Sequence, residues 1–491
     1  MPARFEYEFD TPVYKGSTSF ETGLFIGGDF VDGSDLGTIE CHPTGKYLAT
    51  GKVFTSVSEG TAKDVDIAVQ VAQKAYETSW GLNVPGLERA NILWKLAQLM
   101  EANAQELAAL ESLDNGKTFG WASGTDYYAG WADKVTGQTL ETDERMLAYT
   151  RHEPIGVVGQ IIPFMMFVWK IAPALATGNT VVLKPSEFTP LSALRMCALI
   201  NEAGVPPGVV NVVPGYGDTV GAAISAHPKI EKVAFTGSTL VGRKIMEAAA
   251  KSNLKKITLE LGGKSPNVIF DDADLDQAVK WATHGLFWNH GQACCAGSRI
   301  FVQAGIYDAF LAKFTEKARE IRIGDPFSAN VDQGPQISQI QYDRIMGYIE
   351  SGRRDGAKVH LGGGRVGGEG FFVEPTIFVD AKPEMKIVQE EIFGPVGVVV
   401  KFENEEDVIR QANDTFYGLA AAVFSKDISR AITVAHKLKA GTVWVNCYNT
   451  FHPAVPFGGF KQSGIGRELG QYALDNYTNV KAVQVNIGTR L

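Results

Sequence analysis

Apolar positions along the chain repeat with two periods. Leu93, Leu96, Met100, Leu107 and Leu110 recur at spacings of three, four and seven, with Lys95, Glu101 and Glu106 between them. That spacing predicts an amphipathic helix. Asp114-Asn115-Gly116 ends it, because Asn and Gly tolerate the left-handed conformation of a helix terminus. Further on, Ile155 to Ile162, Thr180 to Leu183, Val209 to Val213 and Lys232 to Phe235 are short apolar runs. They read as strands buried on both faces. Pro190 to Ala203 and Thr219 to Ala226, between them, have helical composition. Strand and helix alternating at this pitch predict parallel βαβ units.

Ligands of such sheets sit beyond the carboxyl ends of the strands. Those ends are Lys184-Pro185-Ser186-Glu187, Pro214-Gly215-Tyr216-Gly217 and Thr236-Gly237-Ser238. A second α/β region is expected from Gly263 to Gly459. The tail from Tyr477 alternates (Val480, Ala482, Val483, Val485) and reads as a strand. Such a strand must pair, in this chain or in another subunit. No internal repeat or low-complexity linker interrupts the pattern.

Length and charge narrow the function. A chain of 491 residues suits roughly two to four domains and needs no staple for its core. The net charge of −9 lacks the basic footprint of a nucleic-acid or anionic-membrane binder. Five cysteines are too few and too odd a count for a disulfide scaffold, which points to a reduced, cytoplasmic protein. Met1 to Phe30 carries Glu6, Glu8, Asp10 and Glu21, unlike an Arg-rich transit peptide. The most apolar stretch, Val157 to Ala176, is interrupted by Gln160, Pro163, Lys170 and Pro173. Its uninterrupted core falls short of the ~18 apolar residues of a membrane span.

Four stretches can carry chemistry. Phe235 to Gly242 leaves a predicted strand and opens a predicted helix, a junction that presents backbone N–H groups to a phosphate. It is neither a P-loop, since Arg243-Lys244 follows Gly242, nor Gly-x-Gly-x-x-Gly, and it reads equally as a plain tight turn. Cys294 and Cys295 lie among small residues between Gly291 and Ser298. Adjacent cysteines chelate one metal poorly and the histidines show no ligand spacing, so no metal site is expected. One cysteine fits a nucleophile; the alternative is two small buried side chains. Glu260, before a Gly-Gly turn, fits a base of raised pKa or a salt-bridge partner of Lys264. Glu390-Glu391, beside Ile392-Phe393-Gly394-Pro395, fits a ribose site or a solvated turn.

Taken in order, these motifs resemble the aldehyde dehydrogenase superfamily, in its NAD-dependent, non-specific branch as found in fungi. The resemblance runs from Phe25 to Val485. It rests on Phe-Thr-Gly-Ser-Thr at 235–239, Leu-Glu-Leu-Gly-Gly-Lys at 259–264, Gly-Gln-Ala-Cys-Cys-Ala-Gly at 291–297, Glu-Ile-Phe-Gly-Pro at 391–395 and Pro-Phe-Gly-Gly at 456–459. It implies an α/β, aldehyde dehydrogenase-like fold. A Rossmann-type NAD-binding domain would span 1–131 and 155–262, and an α/β catalytic domain 263–461. A β oligomerisation arm would be built from 132–154 and 475–491, giving a homodimer or homotetramer.

The resemblance also assigns roles. Cys294 would be the nucleophile, Glu260 the base that activates the hydrolytic water, and Glu468 a proton-relay partner of Glu260. Lys184 and Glu187 would bind the adenosine ribose, Gly237 and Ser238 would lie by the pyrophosphate, Glu391 would take the nicotinamide ribose and Phe393 would pack near the nicotinamide. Met166, Trp169, Phe451 and Phe457 would line an apolar tunnel suited to small aliphatic or aromatic aldehydes. Glu187 fits NAD, because a carboxylate binds a free 2′-hydroxyl and repels a 2′-phosphate. The implied reaction is attack of the Cys294 thiolate on the aldehyde, loss of hydride to NAD, and hydrolysis of the resulting thioester.

The chain also departs from the family pattern. After Ile161-Ile162-Pro163 the family continues Trp-Asn-Phe-Pro, whereas here Phe164-Met165-Met166 follow directly. The absent asparagine is the family's oxyanion-hole donor, and losing one such donor typically costs on the order of 10²–10³ in turnover. The loss also removes the first turn of a helix and predicts displacement of Trp169 and Lys170. A second gap follows Asn115-Gly116-Lys117-Thr118, where Phe119 to Asp126 replace a longer helix before Tyr127. Two gaps beside otherwise intact motifs fit misplaced exon boundaries in the coding sequence; the alternative is a catalytically silent homologue. A CoA-acylating relative is a third reading, against which Glu260 argues.

Overall fold

A computed structural model describes residues 3–42, 53–119, 126–163 and 166–490. Phe164 and Met165, at the join after Pro163, and residues 120–125 of the second join lie outside the described residues.

The first large sheet has eight strands. In spatial order they are Gly464–Ile465, Lys256–Glu260, Lys232–Thr236, Val157–Ile161, Thr180–Lys184, Val210–Val212, Leu24–Ile26 and Asp29–Val31. The five from Lys256–Glu260 to Val210–Val212 run parallel, and antiparallel partners close both edges of this group. Val157–Ile161 is central. The next two strands in sequence lie on one side of it and the following two on the other, so the order reverses between Ile161 and Thr236. Such a reversal opens a crevice at the strands' carboxyl ends.

Alternate residues of these strands enter opposite cores, as a pleat of period two requires. Val157, Ile161, Val182, Val233 and Leu259 pack with Val65, Ala68, Val69 and Ile245. Val158, Val181, Leu183 and Ala234 pack with Leu93, Leu110, Ile171, Leu175 and Leu194 on the other face. Both faces are therefore covered by helices, which is why the strands read as continuous apolar runs.

The second sheet has seven strands, ordered Lys358–Leu361, Thr376–Val379, Val396–Phe402, Arg299–Gln303, Pro266–Ile269, Ala420–Phe424 and Thr442–Val445. All neighbours are parallel except the first pair. A third sheet joins Thr139–Asp143, Met146–Pro154 and the tail strand Thr478–Asn486. The tail pairs with Met146–Pro154 of its own chain over nine residues.

Two local expectations need correction. The stripe from Leu93 to Leu110 is not one helix but two, Gly86–Ala102 and Ala104–Asn115. The break falls at Asn103, whose backbone N–H and side-chain amide both donate to the Leu99 carbonyl, at 3.1 and 2.7 Å. The helix expected over Thr219 to Ala226 begins as a wide turn, Gly217–Gly221, and is α-helical only over Ala222–Ala226. Gly116 closes Ala104–Asn115 in the left-handed conformation, with φ 83°. No helix among the described residues is long and apolar enough to cross a membrane.

Candidate active site

The crevice is lined by the three predicted strand ends. Lys184 ends its strand with its ammonium buried and donates to the Pro185 carbonyl (2.8 Å) and to Glu187 (2.9 Å). Burial lowers its pKa, against the pull of Glu187. Ser238 caps the helix Thr239–Ser252 by accepting from the Val241 amide at 3.3 Å. The other N–H groups of that first turn have no partner inside the helix and face the crevice mouth as a helix N-terminus does. Gly237 donates to the Glu260 carbonyl at 3.0 Å, which ties the turn to the neighbouring strand.

An open cleft of ≈ 340 Å³ continues from this turn toward the second sheet. Thr239, Arg243 and Gln462 line one side, and Arg344, Tyr348, Glu390, Glu391 and Tyr417 the other. Of the expected cofactor residues, Glu391 lines this cleft, whereas Lys184 and Glu187 are not part of its lining. Among the described residues no group of three or more His, Cys, Asp or Glu side chains is placed to hold a metal.

Glu391 approaches the backbone of Gly262-Gly263. A Cβ at Gly262 would stand 2.0 Å from a Glu391 carboxylate oxygen, and one at Gly263 would stand 2.4 Å from the Cys294 carbonyl. Both glycines are thus required by close approach. Gly263 donates to Glu391 at 3.4 Å. Burial pushes the Glu391 carboxyl up to about 7, opposed by that bond, Arg344 and Lys264. Phe393 follows in the left-handed region, φ 56°, its carbonyl accepting from the Gln341 side chain at 2.7 Å.

Cys294 and Cys295 differ in setting. Cys295 is buried, its thiol directed at the Asn449 side-chain oxygen at 3.2 Å and its carbonyl accepting from the Tyr448 hydroxyl at 2.6 Å. Cys294 is half-buried, in the same apolar cluster as Trp169 and Phe457. A hydrogen bond with the Cys295 side chain, then burial, then nearby negative charge including Glu391 push the Cys294 thiol well above its ordinary value. The thiol is therefore neutral at rest, and a cation placed beside it would favour the reactive thiolate.

Glu260 ends its strand on the face opposite Leu259, toward the helix Met166–Ala176. It is 5 % exposed, and neither carboxylate oxygen has a hydrogen-bond partner in the protein. Burial raises its pKa well above the ordinary carboxylate range; Lys170 and Arg467 oppose this, while Glu468 and Cys294 add to it. The salt bridge considered between Glu260 and Lys264 is not formed: the buried Lys264 ammonium has no hydrogen-bond partner. Instead Lys170 donates to Glu468, both side chains being almost fully buried.

Sequence reasoning treated Lys170 only as an interruption of an apolar stretch. A single lysine inside a helix otherwise buried was the signal available. Although the shortened helix was expected to displace them, Trp169 and Lys170 both reach the site.

Three predicted substrate-wall residues come together. Trp169 lies edge-on to Phe451 (centroids 5.7 Å) and Phe457 (5.8 Å), and these two lie 5.3 Å apart. Trp444 adds a fourth ring, 5.8 Å from Phe451. Phe457 and Glu468 exchange both backbone hydrogen bonds at 2.7 Å, so the aromatic wall and the buried carboxylate form one rigid unit. Met166 is half-buried and packs against the core of the first sheet, not against this cluster.

Comparison with known proteins follows the same lines. Residues 40–483 match the model of the Aldehyde dehydrogenase family. An aldehyde dehydrogenase of Agaricus bisporus is 67% identical and covers 100% of both chains. That alignment spans 505 positions against the 491 residues here, so the relative has residues that this chain lacks. An aldehyde dehydrogenase of Emericella nidulans is 56% identical over 98% of each chain. Among solved structures, an NAD+ complex of aldehyde dehydrogenase from Bacillus cereus superposes with a TM-score of 0.93 at 48% identity, over 95% of this chain and 97% of that one.

Proposed function

This chain belongs to the aldehyde dehydrogenase family, and on that premise we propose that it oxidises aldehydes to carboxylic acids with NAD, through a thioester on Cys294. The observation that carries the proposal is Glu260: a buried carboxyl of raised pKa, without a protein partner, within electrostatic reach of Cys294. That is the setting of a general base for water rather than of a structural acid.

The Cys294 thiol loses its proton to solvent, and its sulfur adds to the aldehyde carbon, whose oxygen takes the negative charge. Bound NAD would supply the hydride acceptor, and loss of hydride from this carbon would leave a thioester on Cys294. Glu260 takes a proton from water, whose oxygen adds to the thioester carbon; the Cys294 thiolate leaves and the carboxylate product departs. Lys170 and Glu468 stand behind Glu260 to pass its proton on. Lys184, Glu187, Glu391 and the helix turn after Gly237 would hold the cofactor, with Phe393 near its nicotinamide. Trp169, Phe451 and Phe457 form an uncharged aromatic wall, which favours small aliphatic or aromatic aldehydes. The three-stranded sheet exposes Leu140, Leu147, Val480 and Val485 and is the surface through which we propose that a dimer or tetramer forms.

A second reading has one observation behind it: the Trp-Asn-Phe-Pro segment expected after Pro163 is absent, and with it an oxyanion donor. Purified protein with acetaldehyde and NAD separates the two readings. NADH formation that is lost in Cys294→Ala and largely kept in Cys295→Ala supports the dehydrogenase. NAD binding without NADH, restored by inserting Trp-Asn-Phe-Pro after Pro163, supports the silent homologue. Acyl-CoA as the product when CoA is added would refute hydrolysis by Glu260.

A further inference from the structure

We propose that His290 is a positioning residue that sets how the Cys294 loop meets the loop carrying Glu391 and Phe393. The significance of those two loops rests on the dehydrogenase reading; the geometry of His290 does not.

The imidazole is 1 % exposed and bonded on both sides. Its Nδ1 accepts from the Gly334 amide at 2.9 Å, which leaves Nε2 to carry the proton and donate to the Gly116 carbonyl at 3.1 Å. Gly116 closes the helix Ala104–Asn115, so one ring ties together three segments remote in sequence. Burial pushes the His290 pKa down to about 4; the bond to Gly116 opposes this and Lys117 adds to it. The neutral ring needed for both bonds therefore persists at ordinary pH.

The backbone explains why a brace is needed. Asn289, His290 and Gly291 are consecutive left-handed residues, with φ of 50°, 59° and 71°. The left-handed region is disfavoured for residues other than glycine, His290 above all, and such strain persists only where the surroundings over-determine it. The neighbours of His290 are tied as well. The Asn289 amide donates to the Gln292 carbonyl at 2.9 Å, and the Gln292 side chain accepts from the Ile337 amide at 3.1 Å.

Glycines mark how closely the backbones converge. A Cβ at Gly334 would stand 2.3 Å from the Gly116 oxygen and 3.2 Å from the His290 ring. A Cβ at Gly291 would stand 2.0 Å from the carbonyl oxygen of Gly394. Gly394 adjoins Phe393, so any shift at His290-Gly291 is passed forward to Cys294 and sideways to the Glu391–Phe393 loop. No elastic side chain lies between to absorb it.

The test measures that registry without needing turnover. In a Cys295→Ala background, the rate of Cys294 alkylation by iodoacetamide is measured by mass spectrometry, with and without NAD. The ratio of the two rates reports how the thiol senses bound cofactor. In His290→Leu, which loses both bonds, the NAD response should shrink by about tenfold or more, as expected for a small misplacement of a reacting group. His290→Gln, whose amide supplies one donor and one acceptor, should keep most of the response. NAD affinity, read by fluorescence quenching, should stay near the parent value in both.

A parent-like response in His290→Leu would overturn the proposal, as would equal loss in His290→Gln and His290→Leu, or a parent protein that shows no NAD response at all. If His290→Leu does not fold, His290→Asn, too short to span both bonds, takes its place against His290→Gln. A parent that responds to NAD yet forms no NADH would refute the dehydrogenase reading and leave this one standing.

Discussion

Lys170→Met tests the buried machinery behind Glu260 most directly. Lys170 and Glu468 are 0% and 2% exposed, and the ammonium donates straight to the carboxylate. Methionine matches the lysine stem in volume, so packing is largely kept while the charge is lost. Removing one partner of a buried ion pair costs about 3–5 kcal/mol, because the other charge stays desolvated. The double variant Lys170→Met, Glu468→Met removes both charges and should regain most of that loss.

Urea midpoints of the parent, the single and the double variant at neutral pH read that cost. Lys170 also opposes the rise of the Glu260 carboxyl, so the pH limb of thioester hydrolysis should move upward in the single variant. A destabilisation below about 1 kcal/mol, or a double variant no better than the single one, would refute the reasoning.

Two further outcomes follow from the carboxyl groups. Glu260→Gln should release NADH once per site and then stall, with an acyl adduct on the Cys294 peptide detectable by mass spectrometry. Because burial raises the Glu260 pKa, the parent alone pays an ionisation penalty as pH rises above the ordinary carboxylate range, and the Gln variant should gain stability relative to it in urea titrations. Glu391, pushed up to about 7 by burial, is partly protonated in the free protein near neutrality. Ribose hydroxyls and the positive nicotinamide favour its carboxylate, so NAD binding near pH 7 should release a fraction of a proton. Calorimetry in buffers of different ionisation enthalpy reads this, and Glu391→Gln should abolish it.

Much of this was legible in the sequence. The apolar runs marked the central strands to within about two residues, because both faces of the sheet are covered and most positions are apolar. The order of the strands was not legible, since it depends on contacts remote in sequence. The break at Asn103 hid inside a helical stripe, because the apolar periodicity continues across it.

Cys294, Glu260, Glu391 and Glu187 stood out as chemistry at predicted turns. Lys170 and His290 did not, because each matters through a partner that only the fold brings near: Glu468 for one, Gly116 and Gly334 for the other. The Gly262-Gly263 pair was visible as a turn, but its reason, the close approach of Glu391 and of the Cys294 carbonyl, is a tertiary fact.

The narrow bridge between Phe457 and Glu468 has a consequence for how such an enzyme can change. On the proposed reading one of these residues meets the aldehyde and the other belongs to the proton chain, yet two 2.7 Å bonds make them a single mechanical part. An aldehyde bulky enough to press on Phe457 tilts Glu468 with it. Substrate range and pH optimum are then inherited together, and selection for a new aldehyde at this wall retunes the acid–base chemistry as a by-product.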